Sequence, residues 1–274
     1  MGFNEMIEPK ISIVMPSFNQ GDFLDAAIVS IVEQGYPNLE LVVIDGGSTD
    51  KSVSILEKYS DAITFWSSEA DDGQSSALNT GFNIVTGDIV GWLNSDDTFQ
   101  PGTLSEVAKV FSNKSIHIAM CNRFGLMDAN GVVFDHKDNS FKDHQTLIRY
   151  WSTGGMTINQ PSVFFRRGVI REFRPILDAT LHYAMDYDLW LKITLDHKIH
   201  VVDGCWANYR FHDSSKSGLG FKGFLPEWYS VSKRYWGEKG SSGWWSNWLH
   251  RQLYHYSIKI YRGVPNRIKR MIHG

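Results

Sequence analysis

Within its first hundred residues the chain alternates four times between a short apolar run and an amphipathic stretch, and this alternation restricts its fold more than any other feature. Residues 11–15 are continuously apolar up to Pro16, and residues 39–44, 63–66 and 89–93 repeat the pattern. Short apolar runs without polar alternation read as strands buried on both faces. Between the first two, Phe23, Ala27, Ile28 and Ile31 recur at spacings of three and four. They predict a helix over residues 23–34, closed by Gly35 and Pro37. Val53, Leu56 and Tyr59 begin a second helix behind the cap candidates of the turn at 45–50, and residues 75–85 form a third. Such a pattern predicts a mostly parallel sheet with helices on both faces and right-handed crossovers.

Ligands of such sheets sit outside the C-terminal ends of the strands. The polar residues gather there: Ser17 and Asn19 after the first strand, Asp45 after the second, Asp71, Asp72 and Gln74 after the third, and Asn94, Ser95, Asp96 and Asp97 after the fourth. This convergence predicts a binding cleft. Carboxylates clustered at a strand end suit a hard divalent cation, Mg²⁺ or Mn²⁺, which would in turn hold a substrate diphosphate. The plain alternative is an acidic turn capping the helix after Pro101. Beyond Pro101 the alternation loosens. Residues 104–111 read as helix, 116–165 as several short strands, 186–195 as a helix burying Leu189, Trp190 and Ile193, and 201–211 as extended chain. This half is expected to supply the far wall of the cleft.

The 274 residues suffice for one large α/β domain or for one domain with an appendage. The net charge of −3 hides an asymmetry: residues 1–215 hold 16 Lys and Arg against 28 Asp and Glu, whereas residues 216–274 hold 11 against 2. A basic tail on an acidic body implies different partners for the two. Cys121 and Cys205 form no metal spacing and fit a reducing compartment. The first ten residues lack the apolar core of a signal peptide, and no apolar run approaches the ~20 residues of a membrane span, so a cytoplasmic protein is expected. No nucleic-acid-binding module is recognisable. No G-x-G-x-x-G follows the first strand, which argues against a dinucleotide oxidoreductase. The lack of a Gly-rich phosphate loop there argues against a sugar-1-phosphate nucleotidyltransferase.

Several pieces together resemble glycosyltransferase family 2. The segment Pro16-Ser17-Phe18-Asn19 looks like the family's P-[ST]-[YF]-N, and residues 34–41 (QGYPNLEL) resemble its Q-x-Y-P-x-x-E-L. Residues 43–50 (VIDGGSTD) are similar to V-D-D-G-S-x-D, and Asp72-Gly73-Gln74 with residues 77–81 (ALNTG) to D-x-G-x-x-x-A-x-N-x-G. Asn94-Ser95-Asp96-Asp97 resembles the D-x-D metal motif, Asn159-Gln160-Pro161-Ser162 and Asp186-Tyr187-Asp188-Leu189-Trp190 the acceptor-side motifs, and Tyr209-Arg210-Phe211-His212 the segment with the late histidine. The match runs in order from about residue 10 to 215. Each motif alone is weak, and the ordered set is specific.

The resemblance implies the GT-A fold, a Rossmann-like, mostly parallel central sheet flanked by helices, here with a C-terminal helical appendage. Residues 1–215 would form the catalytic domain, with a nucleotide-binding half over about 10–100 and an acceptor half over about 101–215, and residues 216–274 a basic aromatic tail. It implies an inverting, metal-dependent transfer from a nucleotide-diphospho-sugar, UDP favoured, to a hydroxyl of a surface-polysaccharide or lipid-linked saccharide acceptor. Pro16, Ser17, Phe18, Asn19, Asp45, Asp72, Gln74, Asn94, Ser95 and Asp96 would contact the donor. Asp96 and His212 would hold Mn²⁺ or Mg²⁺, Asp186 would be the general base, and Asp97, Gln160 and Trp190 would face the acceptor.

Two departures matter. Asn94 stands in place of the first aspartate of the metal motif, which removes a negative charge. Met185 stands where the family often has Glu before its catalytic aspartate. Asp186 also fits a helix cap, and sequence alone does not separate a cap from a base. These departures give a foothold to a catalytically silent protein that docks at membranes. In the tail, Trp245, Trp248, Leu249, Leu253, Tyr256 and Ile260 fall at helical spacing, with His250, Arg251, His255, Lys259 and Arg262 offset from them and Arg267, Lys269 and Arg270 beyond. Such a helix over residues 244–270 suits an anionic membrane surface, peripheral on the inner face of the cell membrane. Equally, its apolar stripe could pack on the catalytic domain.

Overall fold

The computed structural model describes residues 8–150, 158–212, 215–216 and 224–263, with side chains of the last helix as far as Tyr254. The first half is built as β1 (Ile11–Ser17), α1 (Gly21–Val32), β2 (Leu39–Asp45), α2 (Ser52–Lys58), β3 (Phe65–Ser68), α3 (Gln74–Ile84) and β4 (Ile89–Trp92). β1 lies between β2 and β4 and is parallel to both, and β3 extends β2 in parallel. The order β3-β2-β1-β4 reverses direction of growth at β1, so the loops after β1 and β4 diverge there and leave a crevice.

Side chains of these strands alternate between two buried layers. Val14, Val42, Ile44, Val90 and Trp92 enter one cluster, with α3 against them. Ile11, Ile13, Met15, Leu41, Val43 and Ile89 enter the other, under α1 and α2. Burial of both strand faces explains the unbroken apolar runs. The close fit of α3 on the sheet needs Gly81: a Cβ there would lie 2.4 Å from Val14 Cγ1. β3 starts two residues later than the apolar run suggested. Ile63 is buried by the turn that follows α2, where its amide donates to Tyr59 O, and pairing with β2 begins at Phe65.

The second half is less regular. It runs through β5 (Thr98–Phe99), α4 (Thr103–Phe111), β6 (Ile118–Met127), β7 (Val133–Asp138), α5 (His144–Ile148), a 3₁₀ turn (Gln160–Ser162), β8 (Val163–Arg166), α6 (Arg167–Ile170), α7 (Met185–Thr194) and β9 (Ile199–Arg210). β8 runs antiparallel to both β4 and β6, which turns β6 back into the direction of β4, and β9 follows β6 in parallel. The sheet is therefore parallel in its first half and mixed in its second. Among the described residues of 116–165 lie three strands, the ten-residue β6, the exposed β7 and the start of β8, and with them the helix α5, capped by Asp143. Because β9 shares the direction of β1, β2 and β4, its end returns to the same sheet edge as theirs. Both cysteines are free, Cys121 buried and Cys205 partly so.

The chain after residue 215 does not stand apart. α8 (Phe224–Lys233) buries Trp228 and Val231, and Trp236 follows it into the same cluster as α3 and α7. α9 (Ser242–Gly263) meets the body through Trp244, Asn247, Arg251 and Tyr254, a stripe of three- and four-residue steps. Asn247 Oδ1 accepts from Gln145 Nε2 (3.1 Å) and Arg149 Nε (2.9 Å), and the Arg251 guanidinium lies 3.4 Å over the Tyr229 ring. The apolar stripe read from the sequence points the other way: Trp245, Trp248, Leu249 and Leu253 are exposed. The packing alternative for that stripe is thereby overturned for its described part. The side chains of His255, Tyr256, Lys259, Ile260 and Arg262, and Arg267, Lys269 and Arg270 entirely, lie outside the described residues. Among the described residues no helix is long and apolar enough to cross a membrane.

Candidate active site

The crevice between the loops after β1 and β4 opens into a cavity of about 650 Å³. Pro16, Ser17 and Phe18 form one wall at the end of β1, and Asn94, Ser95 and Asp96 the next at the end of β4. Phe18 is exposed at the mouth, and the Ser17 hydroxyl, although buried, has no protein partner. Gln160, His182, Met185 and Asp186 bring the second half of the chain to the opposite side. One cavity thus joins the candidate donor residues to the candidate base.

Asn94 is the hub of this arrangement. Its Oδ1 accepts from Trp92 Nε1 and from Gln74 Nε2, both at 2.8 Å. Its amide donates to Gln160 Oε1 at 3.2 Å, while Gln160 Nε2 donates to Trp92 O. An ionised carboxylate at this position could not donate to Gln160, and the two lone pairs of the Asn94 carbonyl are already used. Asn94 therefore ties β4, α3 and the 3₁₀ turn together, and it does not offer a metal ligand. Asp96 Oδ2 lies 3.1 Å from His212 Nε2. Arg210 brings this histidine back. Its amide donates to Asp97 Oδ1 (2.8 Å), its Nε to Asp96 O (2.6 Å), and its Nη1 to the carbonyls of Asp128 and Ala129. Arg210, in sequence only one member of a motif, locks the end of β9 onto the end of β4.

Asp186 is half-buried at the second position of α7. Burial raises its pKa to about 6, against the Tyr187 amide that donates to Oδ1 at 2.7 Å and the charge of Lys216. A carboxylate tuned toward neutrality suits a general base. The cap alternative fails on geometry. Ala184 occupies the cap position, and Glu227 of α8 accepts from the amides of His182, Tyr183 and Ala184 at 2.7–3.1 Å. Met185 is buried and receives the Ser75 hydroxyl at Sδ, 3.2 Å away, so an apolar contact with α3 replaces the acid expected there. Asp188 is fully buried and paired with Lys192 (2.8 Å) and Arg234 (3.1 Å), which leaves it no part in the cavity.

Over residues 12–212 the chain matches the family model described as glycosyl transferase family 2. The chain belongs to glycosyl transferase family 2. A glycosyltransferase of Rickettsia typhi, RT0329, is 28% identical over 216 residues, covering 75% of this chain and 65% of the relative. The chain spans 62–66% of the length of the first three curated relatives it matches. An Escherichia coli relative, the UDP-Glc:alpha-D-GlcNAc-diphosphoundecaprenol beta-1,3-glucosyltransferase WfgD, is 27% identical over 221 residues, covering 80% of this chain and 83% of WfgD. Among solved structures, S. aureus TarS 1–349 in complex with UDP-GlcNAc superposes with a TM-score of 0.61 at 19% identity, covering 75% of this chain and 60% of that one. The mannosyltransferase PcManGT from Pyrobaculum calidifontis, in complex with GDP-Man and Mn²⁺, superposes with 0.56 at 18% identity, covering 77% and 59%. These two likenesses establish the GT-A architecture of the family 2 chain.

Against this family pattern, six of the predicted site residues do not line the cavity. Asp45 is buried and accepts from the Ser48 amide and the hydroxyls of Ser48 and Ser68, so it braces the loop after β2. Asn19, at φ 51°, accepts from the Thr49 amide and ties the loop after β1 to that brace. Asp72 is exposed, and its neighbour Asp71 lines the cavity, its Oδ1 accepting from the Gly73 amide. Asp97 is buried under Arg210, and its burial and the Asp96 charge push its carboxyl well above the usual range. Trp190 is buried in the core against Phe165 and does not reach the cavity. His212 sits behind Asp96, packed on Phe23.

Proposed function

We propose that the protein is an inverting glycosyltransferase that moves a sugar from a nucleotide-diphosphate carrier to an acceptor hydroxyl. The observation that carries this reading is the single cavity lined by both Asp96 and Asp186. The nucleotide enters over Pro16, Ser17 and Phe18, with its diphosphate at Asn94, Ser95 and Asp96. Asp186 takes the proton from the acceptor hydroxyl as that oxygen bonds to the anomeric carbon. The bond from that carbon to the diphosphate breaks on the opposite face, and the nucleoside diphosphate leaves. One displacement without an enzyme nucleophile inverts the centre.

The donor set fits Mn²⁺ or Mg²⁺. A carboxylate and an imidazole converge at Asp96 and His212, and a cation held by few protein groups takes its remaining ligands from phosphate oxygens and water. Among the described residues no group of three or more such side chains assembles without a substrate. The cation would supply Lewis-acid stabilisation of the leaving diphosphate. WfgD, named for a UDP-Glc donor and a diphosphoundecaprenol-linked acceptor, supports UDP as carrier and a lipid-linked saccharide as acceptor. The exposed stripe of Trp245, Trp248, Leu249 and Leu253 supports contact with an anionic membrane surface, where such an acceptor resides. The protein then works at the cytoplasmic face of the membrane.

A thermal-shift panel of UDP, GDP, dTDP and CDP, with Mn²⁺ or EDTA, tests the donor site. Stabilisation by one nucleotide, dependent on Mn²⁺ and lost in Asp96→Ala, is expected. No shift with any of them in a folded protein turns the reading toward a silent membrane-docking protein. Turnover of the matching nucleotide sugar, lost in Asp186→Asn, excludes that protein.

A further inference from the structure

Lys216 lies four residues beyond His212, at the rim of the cavity, and no sequence motif singled it out. The residue is exposed at that rim, yet its ammonium is largely buried. Nζ donates to Gln74 Oε1 and to His182 O, both at 2.7 Å. It thereby bridges α3, on the donor side, and the loop before α7, on the acceptor side. Burial lowers its pKa, and the charges of Asp186, Glu227 and Asp96 oppose that shift. The ammonium thus feels both the candidate base and the candidate metal ligand. A lysine carries three N–H donors, and among the described residues only two of these have partners.

The charge of the cleft gives this third donor a task. The cavity is lined by Asp71, Asp96 and Asp186, and Lys216 is the one lysine or arginine among the described residues that line it. Asn94, where an acid is common in this family, leaves the diphosphate end less negative but adds no positive charge. A nucleoside diphosphate entering here brings at least two negative charges toward three carboxylates. The position of Lys216, hydrogen-bonded to Gln74, which is in turn bonded to Asn94, sets its ammonium beside the end of β4.

We propose that Lys216 binds the diphosphate of the donor, giving its third N–H to a phosphate oxygen that departs with the nucleotide. This rests on the donor site proposed above. The ammonium screens the diphosphate from Asp186 while the sugar is bound, and it stabilises the charge that collects on the leaving group once the sugar has gone. No proton transfer from lysine is needed, so the nucleoside diphosphate leaves with Lys216 still charged. A point charge held by two neutral acceptors is suited to this, because neither partner competes with an anion for its charge.

The test is isothermal titration calorimetry on wild type, Lys216→Gln and Lys216→Arg, with EDTA and again with Mn²⁺. The probes are UDP, GDP, dTDP and CDP, then the monophosphate and free nucleoside of whichever diphosphate wild type binds. Circular dichroism and thermal melting establish that each variant is folded. Lys216→Gln is expected to lose diphosphate affinity roughly ten- to hundred-fold, in EDTA as well as in Mn²⁺, as removal of a charge-assisted hydrogen bond implies. Nucleoside affinity should stay within about threefold of wild type, and Lys216→Arg should retain most of the diphosphate affinity. Unchanged diphosphate binding in Lys216→Gln overturns the proposal and leaves the donor site standing. An equal loss for diphosphate, monophosphate and nucleoside overturns it too, since it shows a lysine that only holds Gln74 and the loop at His182 in place. If wild type binds none of the four diphosphates, the donor site itself fails, and this inference with it.

Discussion

The proposed donor wall and the proposed acceptor wall of the cleft are held by different means. Pro16, Ser17, Asn94, Ser95 and Asp96 follow directly from β1 and β4, two parallel neighbours whose ladder fixes their ends side by side. Asp186, His212 and Lys216 come from segments separated by about ninety residues or more from the strand ends they face, and side chains hold them. Glu227 gathers the amides before α7, Asp97 takes the amide of Arg210, and Arg210 takes the carbonyl of Asp96. The first wall is a by-product of sheet formation. The second depends on particular polar groups and on α8, which belongs to the part of the chain that looked like a tail. The donor side should therefore tolerate damage at the acceptor side, and the reverse should not hold.

Asp186→Asn gives the strongest contrast. Turnover of the cognate nucleotide sugar should fall by about 10²–10⁴, while the nucleotide-induced thermal shift stays at the wild-type value. Loss of both would show that the walls are not separable. Trp236→Ala comes next. It removes a side chain only 2% exposed, and urea unfolding should show a loss of about 3–5 kcal/mol in one transition. A separate early transition for α8 and α9 would mean that these helices are an appendage after all. For Asp96→Ala, a nucleoside diphosphate at about 100 times its Kd adds roughly 2.7 kcal/mol to wild type, and most of that gain, with its Mn²⁺ dependence, should vanish.

Smaller effects sharpen the same contrast. A base must be unprotonated to act, and burial lifts Asp186 to about 6. The acid limb of kcat/KM should therefore have its midpoint near pH 6, with activity rising as pH rises through it, and nucleotide binding should not follow that limb. A midpoint near 4 would place the base elsewhere. Last, Trp245→Ser, Leu249→Ser and Leu253→Ser should each change stability by no more than about 0.5 kcal/mol. Together they should abolish co-sedimentation with anionic phosphatidylglycerol vesicles. Retained sedimentation would assign the membrane contact to another surface.

The donor half was legible because its signals are local. Apolar runs buried on both faces and three- and four-residue spacings define β1, β2, β4, α1 and α3 within one or two residues, and the polar ends of the strands predicted the cavity. Asn19, Asp45 and Asp97 lie in the expected loops, and within the protein each also binds a residue distant in the chain. A short polar side chain at a strand end serves a loop or a ligand equally well, and only the positions of Thr49, Ser68 and Arg210 decide between them. Trp190 was read as an acceptor contact, whereas α7 buries nearly its whole circumference. Lys216 and Glu227 left no sequence signal, because each acts through groups distant in the chain. The tail helix was found and its stripe correctly spaced, but spacing does not reveal which face meets the body. That depended on Asn247 and Arg251 finding Gln145, Arg149 and Tyr229.

The reversal at β8 also governs how the molecule can be made. Until β8 arrives, β4 leaves the ribosome with an open edge, and the apolar layer under α3 waits for Phe165, Trp228 and Trp236 to cover it. The segment whose structure is easiest to read is therefore not a unit that can persist by itself during synthesis. Its strand edge and uncovered layer are the kind of surface that nascent chains aggregate through; the edge waits for about 70 further residues to be translated, and the layer for more than a hundred. Mutations that slow the arrival of β8 or α8 should reduce yield in the cell even where the finished protein is as stable as wild type.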